Sequence, residues 1–269
     1  MSEFRLRINF QKLGACRYLS HLDLARAMER CVRRAALPYA VSQGFSAHMK
    51  HSFSAALPVG TGSLDEYMDV ELARYVPRTA VLLALREAAA PGLPVLDAVY
   101  VDHKQPALAV SHIQASYEVL LYDPAGVQTT ALMQRLERAV DVEVVKKGKP
   151  KSYKLDEYVY RNRTRLLKTD SAGLTHLALV LRLTPNGSLR PEVLLKALAL
   201  PDLDMEIREV TRVSLTIDDS NDVSNNTSTS VAGSKGHRNI DGSGGRSNAA
   251  RRKGRDNCCR SNDSKKDSI

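Results

Sequence analysis

Two stretches near the start of the chain bring together side chains that could bind or react. Ser20-His21-Leu22-Asp23 leads into Arg26, Arg30, Arg33 and Arg34, with Arg17 just before it, and SQGFSAHMKHSF follows over residues 42–53. Guanidiniums at helical spacing can grip successive phosphates, because each is permanently charged and presents a planar fork of donors. The competing reading is a solvated helix face laced by local ion pairs to Asp23 and Glu29. In 42–53, Gly44 suits a tight bend or the close approach of a ligand, Phe45 could act as an aromatic platform, and His48, Lys50 and His51 supply donors. That combination fits single-stranded RNA or a nucleotide; a structural loop whose Phe plugs the core fits as well. His21 and Asp23 do not make a dyad by proximity, since residues two apart on a helix point in different directions. His21 is expected nearer the apolar side, as a hydrogen-bonded, partly buried ring. His21 and His48 are also the two candidates for acid–base work.

Other segments carry weaker signals. In LPVGTGSLDEY, Gly60 and Gly62 flank Thr61 and could expose backbone N–H groups to a phosphate. The pattern is neither GxxxxGK[ST] nor a GxGxxG that opens a helix, so a Gly-rich hairpin connection is expected, with Gly60 structural. Farther on, Lys146, Lys147, Lys149, Lys151 and Lys154 crowd one loop, with Tyr153, Tyr158 and Tyr160 behind and Arg161, Arg163 and Arg165 alternating after them. Basic residues interleaved with aromatics suit phosphate contact plus base stacking, and Lys147 and Lys149 are candidates for it. A solvated hairpin is the alternative. Cys16, Cys31 and the adjacent Cys258 and Cys259 offer no Cys-x-x-Cys spacing, so no zinc, iron–sulfur or other metal site is expected in this chain. A reducing cytoplasm fits that cysteine usage.

The elements that must position these residues follow from periodicity. Alternation over 4–10 (FRLRINF) predicts a half-buried strand. Ser20 reads as a helix N-cap with Asp23 in the place of a capping-box acid, and the helix should run to about residue 36, before Pro38. At about 100° per residue its four arginines fall in one quadrant, opposite Leu24, Met28, Cys31, Val32 and Ala35. A short strand is predicted at 39–41, a β-pair at 52–57 and 67–72, a helix at 78–89 and a strand at 94–101. That order, β-α-β-β-α-β, is a split ferredoxin-like pattern. The second half reads as strand 113–122, helix 129–140, strand 142–145, the basic loop, strands 154–160 and 174–183, helix 191–198 and strand 205–216. The fold class is therefore α+β, built either as two ferredoxin-like units, 1–104 and 105–217, or as one continuous α+β domain.

Composition sets the outer bounds. Of 269 residues, 43% are hydrophobic and 26% charged, an ordinary globular balance, but large apolar residues almost vanish after Asp218. A segment so poor in apolar surface cannot offset its ordering entropy, so 218–269 is expected to be a disordered basic tail. The tail holds ten Lys/Arg and seven Asp; the 29 Lys/Arg and 23 Asp/Glu before it leave that part at +6 of the total +9. A modest basic excess favours an anionic partner, nucleic acid rather than membrane. The tail's RRKGR at 251–255 would add weak, sequence-independent attraction. No apolar run near 18 residues and no N-terminal basic-then-apolar signal is present in the sequence.

The residues from Arg17 onward, RYLSHLDLARAMERCVRRAALP and then SQGFSAH, LPVG, EY and DVEL, resemble the radical-SAM-linked protein family, the DUF2344 group. Proteins of that type are similar to a C-terminal extension fused to, or encoded beside, a B12-binding radical SAM protein. The resemblance implies a stand-alone accessory subunit without catalytic activity of its own. Its partner would carry the iron–sulfur cluster, S-adenosylmethionine and, as a B12 binder, cobalamin. It further implies RNA binding or substrate presentation in tRNA or rRNA modification. Two alternatives stay open: a metal-independent RNA-processing enzyme using His21 or His48, and a subunit that docks on the radical SAM partner through protein contacts only. The family loop usually reads Gly-Phe-Asn-Pro-His-Pro; here Ser46 and Ala47 replace Asn-Pro and Met49 replaces the second Pro, which leaves the loop less rigid.

Overall fold

Leu6, Ile8 and Phe10 alternate with Arg5, Arg7 and Asn9, and the three apolar side chains are fully buried, so the first strand has one packed face and one polar face. This strand, β1 (Phe4–Lys12), runs through the centre of one half of the sheet. The computed structural model describes residues 4–108, 112–146, 148–184, 187–199 and 206–217; the expected tail at 218–269 lies outside the described residues.

The fold class is α+β. After β1 come a 3-10 turn (Gly14–Tyr18), α1 (His21–Arg34), β2 (His51–Phe53), β3 (Gly62–Leu72), α2 (Arg78–Ala88) and β4 (Val95–Val101). Next are β5 (His112–Tyr122), α3 (Val127–Arg138), β6 (Asp141–Lys146), β7 (Lys149–Lys154), α4 (Leu155–Tyr158) and a second 3-10 turn (Arg161–Arg163). The chain continues through β8 (Arg165–Thr169), β9 (Leu174–Thr184), β10 (Gly187–Ser188), α5 (Pro191–Leu198) and β11 (Glu206–Ile217). One nine-stranded sheet has the order β10-β9-β5-β11-β3-β1-β4, with β2 added to β3 and β8 to β9. Strands β4-β1-β3-β2 pair antiparallel throughout, and β11-β5-β9-β8 do the same. Each half thus threads its four principal strands in one order. The halves meet in a short parallel ladder, Thr211 opposite Gly62 and Arg212 opposite Ser63.

Two apolar cores lie against this sheet. One gathers Leu6, Ile8 and Phe10 with Leu24, Met28 and Val32 of α1 and Val81 and Leu85 of α2. The other packs Val119, Leu121, Leu177 and Leu179 against Leu132 and Leu136 of α3 and Leu194 and Leu195 of α5. Burial of each such side chain is worth about 1.5–3 kcal/mol, which fixes the faces that α1 and the sheet leave outward.

Several local expectations are corrected. Residues 154–160 are not a strand: Leu155 and Tyr158, three apart, are buried together on the single turn α4. The lysine-rich segment is the β6–β7 hairpin rather than a loop, turning at Gly148 with φ +76°. The stretch 39–41 forms only isolated bridges, Tyr39 to Leu72 and Val41 to Met49. The strand β8 was not anticipated, because all five of its residues are exposed and leave no alternating pattern.

Candidate nucleic-acid interface

Ser20 caps α1 as its position demands, its Oγ accepting from Asp23 N–H at 3.2 Å and lying 2.7 Å from Asp23 Oδ2. With the register so fixed, Leu24, Met28, Cys31 and Val32 face the core, and Arg26, Arg30, Arg33 and Arg34 are exposed. Burial raises the pKa of the Cys31 thiol, while the nearby Arg34 charge opposes the shift, so the thiol is a packing group rather than a nucleophile.

The four arginines divide into two kinds. Arg26 reaches Asp23 Oδ1 at 3.4 Å and Arg33 reaches Glu29 Oε2 at 3.0 Å, local pairs one turn apart. Arg30 and Arg34 form no hydrogen bond or ion pair among the described residues. Glu29 Oε1 also lies 3.1 Å from His51 Nε2, so the contacts Arg33–Glu29–His51 link the arginine face to β2. This link has no signature in the sequence, because Glu29 and His51 belong to different elements. Arg17 stands apart from the row. Its Nε donates to Gly60 O at 3.0 Å and its Nη2 pairs with Glu209 at 3.0 Å, tying the first 3-10 turn to β11.

Beyond α1, the loop 42–48 closes on itself: Ser42 N–H donates to His48 O at 2.8 Å, and Ser42 Oγ accepts from His48 N–H at 3.2 Å. Gly44, with φ +135°, takes a backbone conformation closed to other L residues, and the turn it makes throws Phe45 outward. Phe45 is fully exposed, at 114% of its reference surface, so it plugs no core. His48 Nδ1 lies 3.1 Å from Ser46 O and 3.1 Å from Ser42 Oγ. Both contacts fall on Nδ1, so the loop engages this ring nitrogen. Lys50 is half-buried beside the loop. A cleft of about 500 Å³ opens there, lined by Arg5, His48, Lys50, His51, Asp69 and Glu71 among others. Asp69 is held between two buried guanidiniums, Arg5 Nε at 2.8 Å and Arg7 Nε at 2.8 Å, so its charge is already balanced.

The family described as "Uncharacterized protein conserved in bacteria (DUF2344)" matches residues 5–191, a span that includes α1, the Phe45 loop and the cleft. The chain belongs to the DUF2344 family. None of the curated proteins matches it. Among solved structures it is similar to an H/ACA RNP bound to a substrate RNA containing 2'-deoxyuridine, at 10% identity over 78% of this chain and 47% of that one, TM-score 0.43. It is similar to the same extent, 10% identity over 78% of this chain and 48% of that one, TM-score 0.43, to a Cbf5-Nop10-Gar1 complex. A third similarity is to an unknown protein from Galdieria sulphuraria, at 15% identity over 67% of this chain and 81% of that one, TM-score 0.22. The DUF2344 chain spans about half the length of the first two chains it matches.

Among the described residues of the DUF2344 protein, no contact joins the two candidate catalytic histidines. His21 is exposed, and its ring meets Phe53 edge-on at 5.6 Å between centroids, whereas His48 is engaged by Ser42 and Ser46. The expected partly buried, hydrogen-bonded His21 is thus an exposed ring on an aromatic edge. Gly60, at φ +92°, donates its N–H to Arg17 O at 2.9 Å, and Thr61 donates to Pro58 O at 3.3 Å, so these amides are turned into the fold and not toward a phosphate. On the β6–β7 hairpin Lys149 is exposed, and Lys147 lies outside the described residues. Among the described residues no three His, Cys, Asp or Glu side chains gather as a metal ion would need, and no helix is long and apolar enough to cross a membrane.

Proposed function

We propose that this DUF2344 protein is an accessory RNA-binding subunit that presents single-stranded RNA, of the tRNA or rRNA class, to a separate radical SAM enzyme. The observation that carries the reading is Phe45: an aromatic ring wholly in solvent, on a loop turned by a left-handed glycine, flanked by His48 and Lys50. A bare ring of this kind offers a stacking face to any base, and neighbouring cations supply phosphate contacts. Arg30 and Arg34, without a side-chain partner among the described residues, add two always-charged forks on the exposed face of α1. The resemblance of RYLSHLDL and the spaced arginines to the radical-SAM-linked family supplies the partner class, with cluster, S-adenosylmethionine and cobalamin on that partner.

The reading is tested by fluorescence anisotropy with a short unstructured RNA and by pull-down from cells. Phe45→Ala is expected to weaken RNA binding by about 1–3 kcal/mol, the worth of one base stacked on an aromatic side chain. Co-purification of a radical SAM protein without any RNA affinity would replace RNA presentation by docking through protein contacts.

A further inference from the structure

A second cationic feature lies in the other half of the sheet and shares no residue with the Phe45 surface. Arg163 and Arg182 both approach the ring of Tyr160, their guanidinium carbons 5.3 and 3.7 Å from its centroid. The backbone that carries the ring is held in place: Tyr160 N–H donates to Val180 O at 2.9 Å, and Tyr160 O accepts from Arg163 N–H at 3.0 Å. Arg163 is aimed by Gln114, whose Oε1 accepts from Nη1 at 2.7 Å, and Gln114 pairs with Arg182 across β5 and β9. Two guanidiniums on one ring gain from its negative face but repel each other.

No carboxylate answers that repulsion. Among the described residues neither Arg163 nor Arg182 has an acidic partner, and Arg182 Nε is covered with no hydrogen-bond acceptor at all. The acid that lines the adjoining cleft of about 360 Å³, Asp156, is taken by Arg161 at 2.9 Å. Arg161 in turn is committed to carbonyls at the end of α3, those of Leu136, Glu137 and Ala139, at 2.7–2.8 Å. Farther along the sheet, β8 adds Arg165 opposite Ala178 and Lys168 opposite His176 of β9, both exposed and without an ion pair among the described residues. An oxyanion placed here would separate the two like charges and satisfy planar forks already fixed by stacking.

We propose that Tyr160, Arg163 and Arg182 form an oxyanion site that takes a phosphate group, with Arg165 and Lys168 continuing its positive track. Free phosphate and the phosphodiester of a nucleic acid share this chemistry. Arg182 is the central ligand, because its guanidinium is stacked in place and its side chain forms no hydrogen bond among the described residues. Arg163, whose Nη1 is shared with Gln114, contributes less.

The full-length chain is titrated by calorimetry with inorganic phosphate and with a decauridylate. Arg182→Gln is expected to weaken binding roughly tenfold, the scale of one lost charge-assisted contact. Arg163→Gln, on an exposed turn, should give a smaller loss with unchanged melting. Loss confined to inorganic phosphate assigns a small phosphate-bearing ligand; loss with the RNA, alone or together with phosphate, assigns a phosphodiester. Arg30→Glu/Arg34→Glu should leave the phosphate titration unmoved, which separates this site from the α1 surface. Absence of binding to either ligand by the wild-type chain would overturn the site. So would native-like Arg182→Gln and Arg163→Gln proteins whose titrations match wild type.

Discussion

Glu66 on β3 and Arg212 on β11 form a buried ion pair at the seam between the halves of the sheet. Arg212 Nε donates to Glu66 Oε1 at 2.9 Å, a terminal nitrogen of the same guanidinium reaches that oxygen, and the side chains are 1% (Arg212) and 5% (Glu66) exposed. Arg212 Nη1 further donates to Ala55 O at 3.0 Å. Lys12 shares this interior: burial lowers its pKa, Glu66 pulls it back up, and Arg212 pushes it down. The Glu66 carboxylate therefore faces two buried cations next to the short parallel ladder of β3 and β11.

Removing that carboxylate should be costly. Glu66→Ala leaves Arg212 buried without its counter-charge and is expected to lose about 3–5 kcal/mol in urea unfolding. Glu66→Leu combined with Arg212→Met should cost less, since the Arg212 charge leaves with its partner and only Lys12 loses the Glu66 carboxylate. A Glu66→Ala loss below about 1 kcal/mol would show that the seam does not depend on the pair.

A second expectation concerns acid. Arg78 Nη2 donates to Asp97 at 2.7 and 2.8 Å, and the Asp97 pKa is lowered from 3.8, chiefly by that hydrogen bond and also by the Ala98 N–H. A carboxylate with a lowered folded pKa stabilises the fold above its unfolded value, and the contribution is lost as pH falls through the folded value. Arg78→Ala should therefore melt below wild type near neutral pH, with the gap narrowing as pH drops below about 4. The gap should be small, because Asp97 is 43% exposed and water screens the pair. Thermal melts in a pH series check it; a constant gap would mean that only the bond from Arg78 Nε to Ala98 O matters.

Gly44 links backbone strain to the site. Its φ of +135° is left-handed, and a Cβ there would meet nothing within 4 Å, so the cost of Gly44→Ala is conformational rather than steric. A loss of about 1–2 kcal/mol in stability is expected, or else a local rearrangement of the loop. If the turn is what presents Phe45, Gly44→Ala should weaken RNA binding, and adding Phe45→Ala should weaken it little further. Fully additive losses would mean that the two residues act separately.

The arginine face of α1 was legible because four arginines at helical spacing lie opposite Leu24, Met28, Cys31 and Val32, and one capping residue fixes the register. What each arginine does was not legible. Arg17 is drawn to Glu209 and Glu29 is shared with His51, contacts between elements far apart in the chain. β1 and α5 could be read from alternation and from Pro191 at a helix start, since a packed face and a proline leave local marks. β7 and β8 could not: KPKSYK has only Tyr153 facing the core, RLLKT has nothing buried, and both owe their extended form to a neighbouring strand. Phe45 lies in a loop with no periodicity, so its outward direction rests on the Gly44 turn and appears only in three dimensions.

The central claim, that α1 and the Phe45 loop form an RNA-binding surface, is tested most directly by the salt dependence of binding to a short single-stranded RNA. Arg30→Glu/Arg34→Glu is compared with wild type by anisotropy across a salt series, after melting shows both proteins folded. Each arginine that neutralises a phosphate contributes about 0.7 to the slope of log affinity against log salt. The account predicts weaker binding and a slope shallower by about 1.4 in the double variant. Equal affinity and equal slope in the two proteins would contradict it.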